Sequence, residues 1–301
     1  MKEEKDIVTI EVVEKEADIV TVEILPEKRS FLEIGISSIQ GTRKYQEDTV
    51  FGTIEDEHHA IAIICDGMGG LEGGALASQS AVESLARAYF SHQEIESIPE
   101  FWRAEAKQAD KVVASLTNEN GKKLSCGTTV VLSMIEDNHL HWLSVGDSRI
   151  YVLRENELVI VNEAHNYRAQ LDAMLQNGEI TEAEYQKEEY RAEALTSYLG
   201  IGNVNMIDVN QNPLELQDQD VVLLCSDGLY RSLEDEEIVQ ILKRGSLDTV
   251  EDTKDPAADT VDIDLQTIAE QLTAIALDKS KGSQDNTSVV ILKYNEKEKR
   301  L

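Results

Sequence analysis

Three aspartates in this chain each follow a short apolar run of the kind that forms a buried β-strand. The runs AIAIIC, WLSVG and VVLLCS lead into Asp66, Asp147 and Asp227, respectively. Two more acidic positions, Glu47-Asp48 and Asp285, come just before runs with β-branched residues. A side chain at a strand end is held on a rigid scaffold, and several buried acids converge only around a compensating cation. The pattern therefore predicts a β-rich fold that gathers carboxylates around a cation.

The donor atoms indicate which cation to expect. Carboxylate oxygens without histidine or cysteine favour hard ions, so the expected metal is Mg²⁺ or Mn²⁺ rather than zinc or copper. Taken singly, an Asp-Gly pair such as 66–67 or 227–228 is more often a plain turn. The hypothesis of a metal site rests on the recurrence of acids at strand ends.

The order of the predicted elements favours an α+β fold. Strands are expected at 60–65, 128–135, 139–145, 150–153, 221–225 and 287–294, and helices at 75–90, 101–116, 169–176 and 265–275. The three strands between 128 and 153 have short connections, so we expect them to pair antiparallel. Strands in runs and helices in pairs predict packed layers rather than a repeating parallel βαβ sheet.

Charge and cysteine content narrow the function classes. The 301 residues carry a net charge of -30, which disfavours nucleic acid and anionic membranes as partners and requires a phosphate site to supply its own cations. The three cysteines are far apart in the sequence, which argues against a disulfide framework or a zinc site. No apolar run approaches the roughly 20 residues of a membrane helix. We expect a cytoplasmic protein and, without a sign of a large apolar patch, a monomer.

Three segments lie outside the expected catalytic core. Residues 1–30 form an extension in which DIVTIEVVEKE is followed, 12 residues on, by the similar DIVTVEILPEK. This two-copy, strand-like repeat is either an addition to a sheet edge with no chemical role or an arm that docks a partner or regulates the protein. Residues 246–264 hold seven acids and one lysine and predict a solvated acidic loop, and 296–301 is a charged tail.

Six short motifs, in order, carry a family resemblance. They are GTRKYQED at 41–48, DGMGG at 66–70, SCGTT at 125–129, VGDSR at 145–149, SDGL at 226–229 and DNTS at 285–288. Together they resemble the metal-dependent protein phosphatases of type 2C, in their bacterial serine/threonine form. The resemblance covers about 33–294, which places a catalytic domain at 31–295. It implies a four-layer αββα sandwich of two antiparallel sheets flanked by helix pairs, with a binuclear metal site at one end.

The resemblance also implies site residues and cofactors. Two Mn²⁺ or Mg²⁺ ions are expected, with Asp66 bridging them. A third, weaker ion is expected at Asp147 and Asp227. The other implied metal-site residues are Gly67, through its carbonyl oxygen, Asp285, and, holding metal-bound waters, Glu47 and Asp48.

The implied reaction is hydrolysis of phosphoserine and phosphothreonine in proteins, in opposition to a serine/threonine kinase in signalling. Two metal ions about 3.5–4 Å apart lower the pKa of a bridging water, so a hydroxide can attack phosphorus directly in line. Arg43 would grip two phosphate oxygens with its planar fork. Two alternatives remain: a catalytically silent phosphoprotein-binding or metal-sensing module, and a hydrolase of small phosphate esters.

The chain departs from the family pattern in ways that affect the mechanism. Met68 stands where many relatives have a proton-donating histidine, so we name no protein general acid and expect a metal-bound water to protonate the leaving group. His165, in the context Ala-His-Asn, is expected to serve packing rather than catalysis. The polar helical segment 165–195 is either a flap beside the site or a rigid surface pair of helices.

Overall fold

A computed structural model describes residues 32–69, 73–92, 95–243 and 264–296 of the protein. The repeat within 1–30, nearly all of the acidic 246–264 segment and nearly all of the 296–301 tail lie outside these residues, so the hypotheses about them stay predictions.

Twelve strands lie within the described residues: β1 (Leu32–Ile39), β2 (Asp48–Ile54), β3 (His59–Met68), β4 (Gly127–Thr128), β5 (Val130–Glu136), β6 (His139–Val145), β7 (Arg149–Arg154), β8 (Glu157–Ile160), β9 (Asp208–Val209), β10 (Leu214–Glu215), β11 (Val221–Cys225) and β12 (Thr287–Tyr294). The α-helices of the same part of the chain are α1 (Gly73–Ser91), α2 (Ile98–Ala114), α3 (Tyr167–Gln176), α4 (Glu182–Glu188), α5 (Asp227–Tyr230), α6 (Asp235–Leu242) and α7 (Leu265–Lys279).

The strands form two antiparallel sheets. The first has the order β1-β12-β11-β7-β8. The second has the order β10-β6-β5-β3-β2, with β4 paired to β3 and β9 to β6. Helices α1 and α2 pack on the outer face of the second sheet, and α6 and α7 pack on the outer face of the first. A third apolar cluster lies between the sheets. The predicted αββα sandwich is confirmed.

Strand β11 shows why these runs are apolar throughout. Alternate side chains of a strand point to opposite faces, and both faces of this sheet are covered. Val221, Leu223 and Cys225 pack against the helices, whereas Val222 and Leu224 pack between the sheets. All five are buried. A strand buried on both faces needs a continuous apolar run rather than alternation.

One predicted pairing is wrong. Strands β5 and β6 pair antiparallel as expected, but β7 belongs to the other sheet. The chain changes sheets at 146–148, where Gly146 takes a φ of +110°, a conformation that other residues rarely adopt. A Cβ at this position would also lie 2.7 Å from the side chain of Thr129. The crossing places Asp147 at the end of the sandwich, between the two sheets.

The segment 165–195 contains α3 and α4, and α3 begins two residues before the predicted 169 and ends at the predicted 176. Gly178 follows the end of α3 with a φ of +72°, and Thr181 and Glu184 form a capping box at the start of α4. Among the described residues, no helix combines the length and the apolar character needed to cross a membrane.

Candidate functional site

Strand register brings the predicted acids to one end of the sandwich. Asp48, at the start of β2, pairs directly with Asp66, near the end of β3. In the other sheet, Cys225 at the end of β11 pairs with Arg149 at the start of β7 and with Val289 near the start of β12. The residues just outside these strand ends, including Asp147, Asp227 and Asp285, therefore meet at the same end.

A cavity of about 1070 Å³ opens there. Seven of the eight residues proposed for the site line it: Arg43, Glu47, Asp66, Gly67, Asp147, Asp227 and Asp285. Asp48, the eighth, is 6% exposed and is not part of the lining.

Asp66 is held by two threonines of the SCGTT motif. The Thr129 hydroxyl accepts a hydrogen bond from the Asp66 N–H at 3.1 Å, and the Thr128 hydroxyl donates to the Asp66 carbonyl oxygen at 2.9 Å. Thr129 also shares a hydrogen bond of 2.8 Å with Ser148 of the VGDSR motif. Three motifs that are distant in sequence thus fix the backbone at Asp66.

Gly67 is required by close backbone packing. A Cβ at this position would lie 2.2 Å from the carbonyl oxygen of Gly74 and 2.5 Å from that of Glu47. The Gly67 N–H donates to the Glu47 carbonyl oxygen at 3.1 Å. Any side chain at 67 would therefore separate β3 from both the 40–47 loop and the start of α1.

Asp48 is a buried carboxylate with one well-defined partner. The Ser226 hydroxyl donates to Asp48 Oδ2 at 2.8 Å and itself accepts from the Ser288 N–H at 3.0 Å. Among the described residues, neither Asp48 Oδ1 nor the buried Glu47 Oε1 has a hydrogen-bond partner. Burial, and then the charges of Asp227 and Asp285, raise the pKa of Asp48 to about 7.

Burial and the charges of neighbouring carboxylates also raise the pKa values of Asp66 and Asp227. Burial, and then the charges of Asp48 and Asp227, raise the pKa of Asp66 well above its usual range. Burial also raises the pKa of Asp227 to about 6, although Arg231 opposes the shift. Of the charged residues that line the cavity, six are acidic and three, Arg43, Lys123 and Arg231, are basic. The cavity is short of positive charge.

A family model described as protein phosphatase 2C matches residues 37–272 of this chain. The chain belongs to the protein phosphatase 2C family. The serine/threonine phosphatase stp of Listeria welshimeri is 28% identical over 257 residues, with 84% of this chain and 92% of the relative covered. The protein phosphatase PhpP of Streptococcus pneumoniae is 25% identical, with 87% of this chain and 97% of the relative covered.

Solved structures share the fold of this phosphatase. The serine/threonine phosphatase of S. agalactiae aligns with a TM-score of 0.69 at 22% identity, over 88% of this chain and 100% of the other. The Mycobacterium tuberculosis phosphatase PstP/Ppp aligns with a TM-score of 0.67 at 24% identity, over 88% and 99%. A PstP catalytic domain solved with two manganese ions aligns with a TM-score of 0.64 at 24% identity, over 88% and 99%.

Family membership identifies the chain as a protein phosphatase and hence a phosphoric monoester hydrolase. The acids at the strand ends belong to the motifs that carry this membership, and in the structure they line one cavity.

Asn286 of this phosphatase is a site residue to which the motif analysis gave no role. Its amide donates to the carbonyl oxygens of Gln40 at 2.8 Å and Tyr45 at 3.0 Å. Its Oδ1 accepts from the Glu47 N–H at 2.8 Å. One side chain thus closes the 40–47 loop that carries Arg43. Its place in the DNTS motif, next to Asp285, was the available signal.

Arg231 is a second residue that the sequence did not indicate. Its guanidinium lies 2.9 Å from Asp227 Oδ2, 3.8 Å from Asp147 Oδ2 and 3.1 Å from Glu193 Oε2. It stands two residues after the SDGL motif, so no motif position pointed to it. It contacts both carboxylates at which the third ion was expected.

Histidines are absent from the described lining of the cavity. His165 is 4% exposed, and its Nδ1 accepts a hydrogen bond from the Gly146 N–H at 3.2 Å. Burial lowers the pKa of His165, which favours this neutral, accepting form. The side chain braces the turn that carries Asp147. Met68 lines the cavity, and its thioether has no proton to donate.

Proposed function

We propose that this enzyme is a metal-dependent phosphatase of phosphoserine and phosphothreonine residues in proteins. The observation that carries the proposal is the excess of acidic over basic side chains in the cavity lining, six against three. A phosphate group brings further negative charge, so such a cavity repels its substrate unless cations join it. The names of the relatives, serine/threonine phosphatases, support the substrate class.

The chemistry of the donors fits two Mn²⁺ or Mg²⁺ ions. Carboxylates of Asp66, Asp227 and Asp285, and the carbonyl oxygen of Gly67, would hold them, and the unpartnered oxygens of Glu47 and Asp48 would accept from waters around them. When bound, two such ions lower the pKa of a shared water and neutralise the phosphoryl oxygens. The manganese ions of the PstP structure support the choice of metal.

One carboxylate proposed to hold a metal ion is paired with an arginine in this structure. Within the described residues, no three histidine, cysteine, aspartate or glutamate side chains stand ready to hold an ion. Asp285 instead forms an ion pair with Arg43, in which Arg43 Nη2 lies 2.5 Å from Asp285 Oδ2. We propose that ions replace this ion pair, which frees the guanidinium of Arg43 for two phosphate oxygens. The Arg43 side chain is 58% exposed and so has room to turn.

The chain itself offers no histidine as a general acid. Because Met68 cannot donate a proton, we propose that water protonates the departing serine or threonine oxygen. Glu193 and Leu195, which belong to the 165–195 segment, and Tyr198, which follows it, line the cavity. This supports a role for the segment as a flap that contacts the phosphoprotein. We further propose a cytoplasmic monomer that opposes a kinase, with neither nucleic acid nor membrane as partner.

The decisive experiment follows phosphate release from a phosphothreonine peptide by chelator-stripped enzyme, with and without Mn²⁺. Release should depend on Mn²⁺ and be lost in Asp66→Asn and Asp227→Asn, with circular dichroism unchanged. The exposed Asp278→Asn on α7 is the matched control and should keep full activity. Activity without metal, or in both site variants, would refute the proposal. Faster release from sugar phosphates than from the peptide would refute the substrate class.

A further inference from the structure

Arg231 brings a permanent positive charge to two buried carboxylates. The side chains of Asp147 and Asp227 are 7% and 13% exposed, and they come from the turn after β6 and the first residue of α5. One guanidinium lies near both, through Nη1 for Asp227 and Nη2 for Asp147. Arginine stays charged at any physiological pH and has a planar fork that serves two acceptors at once.

Without Arg231, these two carboxylates would form a different kind of site. They are buried, and an oxygen of each lies within 3.8 Å of the same guanidinium. A pair of carboxylate oxygens with access to solvent is a typical ligand set for a hard divalent ion. A guanidinium and a divalent ion would compete for the same oxygens.

We propose that Arg231 is a built-in cation that takes the position of a third metal ion, so that this phosphatase works with two ions. The inference rests on the proposed two-metal function and concerns the same cavity. Arg231 acts through Asp147 and Asp227 and is therefore a positioning residue. Unlike an ion, it does not leave when the metal concentration falls.

The guanidinium also connects the cavity to the 165–195 segment. Glu193 accepts from Arg231 Nη2 with Oε2, and from Arg168 Nη2 at 2.8 Å and Nε at 3.0 Å with Oε1. Arg168 lies on α3. An unbroken series of ion pairs therefore runs from Asp227 through Arg231 and Glu193 to Arg168. Removing the guanidinium should loosen the segment as well as open the carboxylate pair.

The test counts bound ions rather than activity. Chelator-stripped full-length protein is titrated with Mn²⁺ by calorimetry, and free Mn²⁺ is followed by electron paramagnetic resonance. We expect two ions for the wild type and three for Arg231→Ala, the added ion being the weakest. The double variant Arg231→Ala/Asp147→Asn should return to two. The exposed Arg87→Ala on α1 is the matched control and should bind two.

The outcomes separate the inference from the function on which it rests. Three ions in the wild type, or two in both the wild type and Arg231→Ala, would overturn the inference and leave the two-metal proposal standing. Fewer than two ions in the wild type would refute the two-metal proposal and the inference with it. Hydrogen exchange gives an independent readout: amides of 165–195 should exchange faster in Arg231→Ala than in Arg87→Ala, and equal rates would exclude the connection to the segment.

Discussion

Replacing Asp48 by asparagine should stabilise the metal-free enzyme. Asp48 is 6% exposed, receives one hydrogen bond from Ser226 and leaves Oδ1 without a partner among the described residues. Its charge is therefore poorly compensated in the absence of metal. Asparagine keeps the size and an oxygen for Ser226, but it carries no charge that must be buried.

The magnitude follows from the raised pKa. Asp48 titrates at about 7 in the folded protein, against 3.8 for an ordinary aspartate. Because the pKa of Asp48 is higher in the folded than in the unfolded protein, its protonated form contributes stability to the wild type. This contribution is fully present below pH 3.8 and is lost as the pH rises through about 7. The shift of about three units makes the ionised carboxylate cost roughly 4 kcal/mol at pH 8, and less than half of that at pH 5. The charge of Asp48 also raises the pKa of Asp66. Removing that charge lessens the repulsion on Asp66 and should stabilise the variant further.

The assay is urea unfolding in chelator at pH 5 and pH 8. The difference in unfolding free energy between Asp48→Asn and wild type should grow by roughly 2–3 kcal/mol in favour of the variant from pH 5 to pH 8. The exposed Asp278→Asn on α7 is the matched control for the substitution itself. A pH-independent difference for Asp48→Asn would mean that this carboxylate is adequately compensated by the protein, and the electrostatic reasoning would fail.

Three further predictions concern single side chains. Asp110 is 1% exposed and accepts three backbone N–H bonds from 200–204, so Asp110→Ala should lower the unfolding free energy by about 2–4 kcal/mol in urea titrations. Arg43→Lys keeps the charge but loses the fork, and kcat/KM on a phosphopeptide should fall about 10- to 100-fold; an unchanged value would exclude bidentate phosphate binding. Asn286→Ala removes three hydrogen bonds from the 40–47 loop, and kcat/KM should fall on the order of tenfold or more while circular dichroism stays native.

Strands were predictable from the sequence where burial on both faces requires a continuous run of apolar residues. The last strand lies at 287–294, as the β-branched pattern predicts, and both of its faces are covered. The pairing of β7 was not predictable in the same way. A connection as short as 146–148 normally joins paired neighbours, and only the packing of distant segments decides that β7 joins β11 instead.

In the cavity, too, some residues were predictable from local sequence pattern and others only from distant contacts. Acids at strand ends are visible in the sequence because their position follows from local pattern, and register then brings them together. Arg231 and Glu193 are invisible there, since their importance comes from contacts between a helix end and a segment 38 residues away in the chain. Asn286 is intermediate: the motif marks it, but its three bonds to the 40–47 loop follow only from the fold.

The charge arrangement links the stability of this phosphatase to its activity. Burial and mutual repulsion both raise the pKa values of Asp48, Asp66 and Asp227, and this uncompensated charge destabilises the empty cavity. The same charge makes the cavity attractive to divalent ions. Arg43 and Arg231 each neutralise part of this charge, but with different consequences. Arg43 is more than half exposed and pairs with one carboxylate, so an ion can displace it. The Arg231 side chain is 42% exposed but lies within 4 Å of three carboxylates, and we infer that it stays in place. The two arginines therefore divide the cavity into a part that can exchange its cation and a part that cannot.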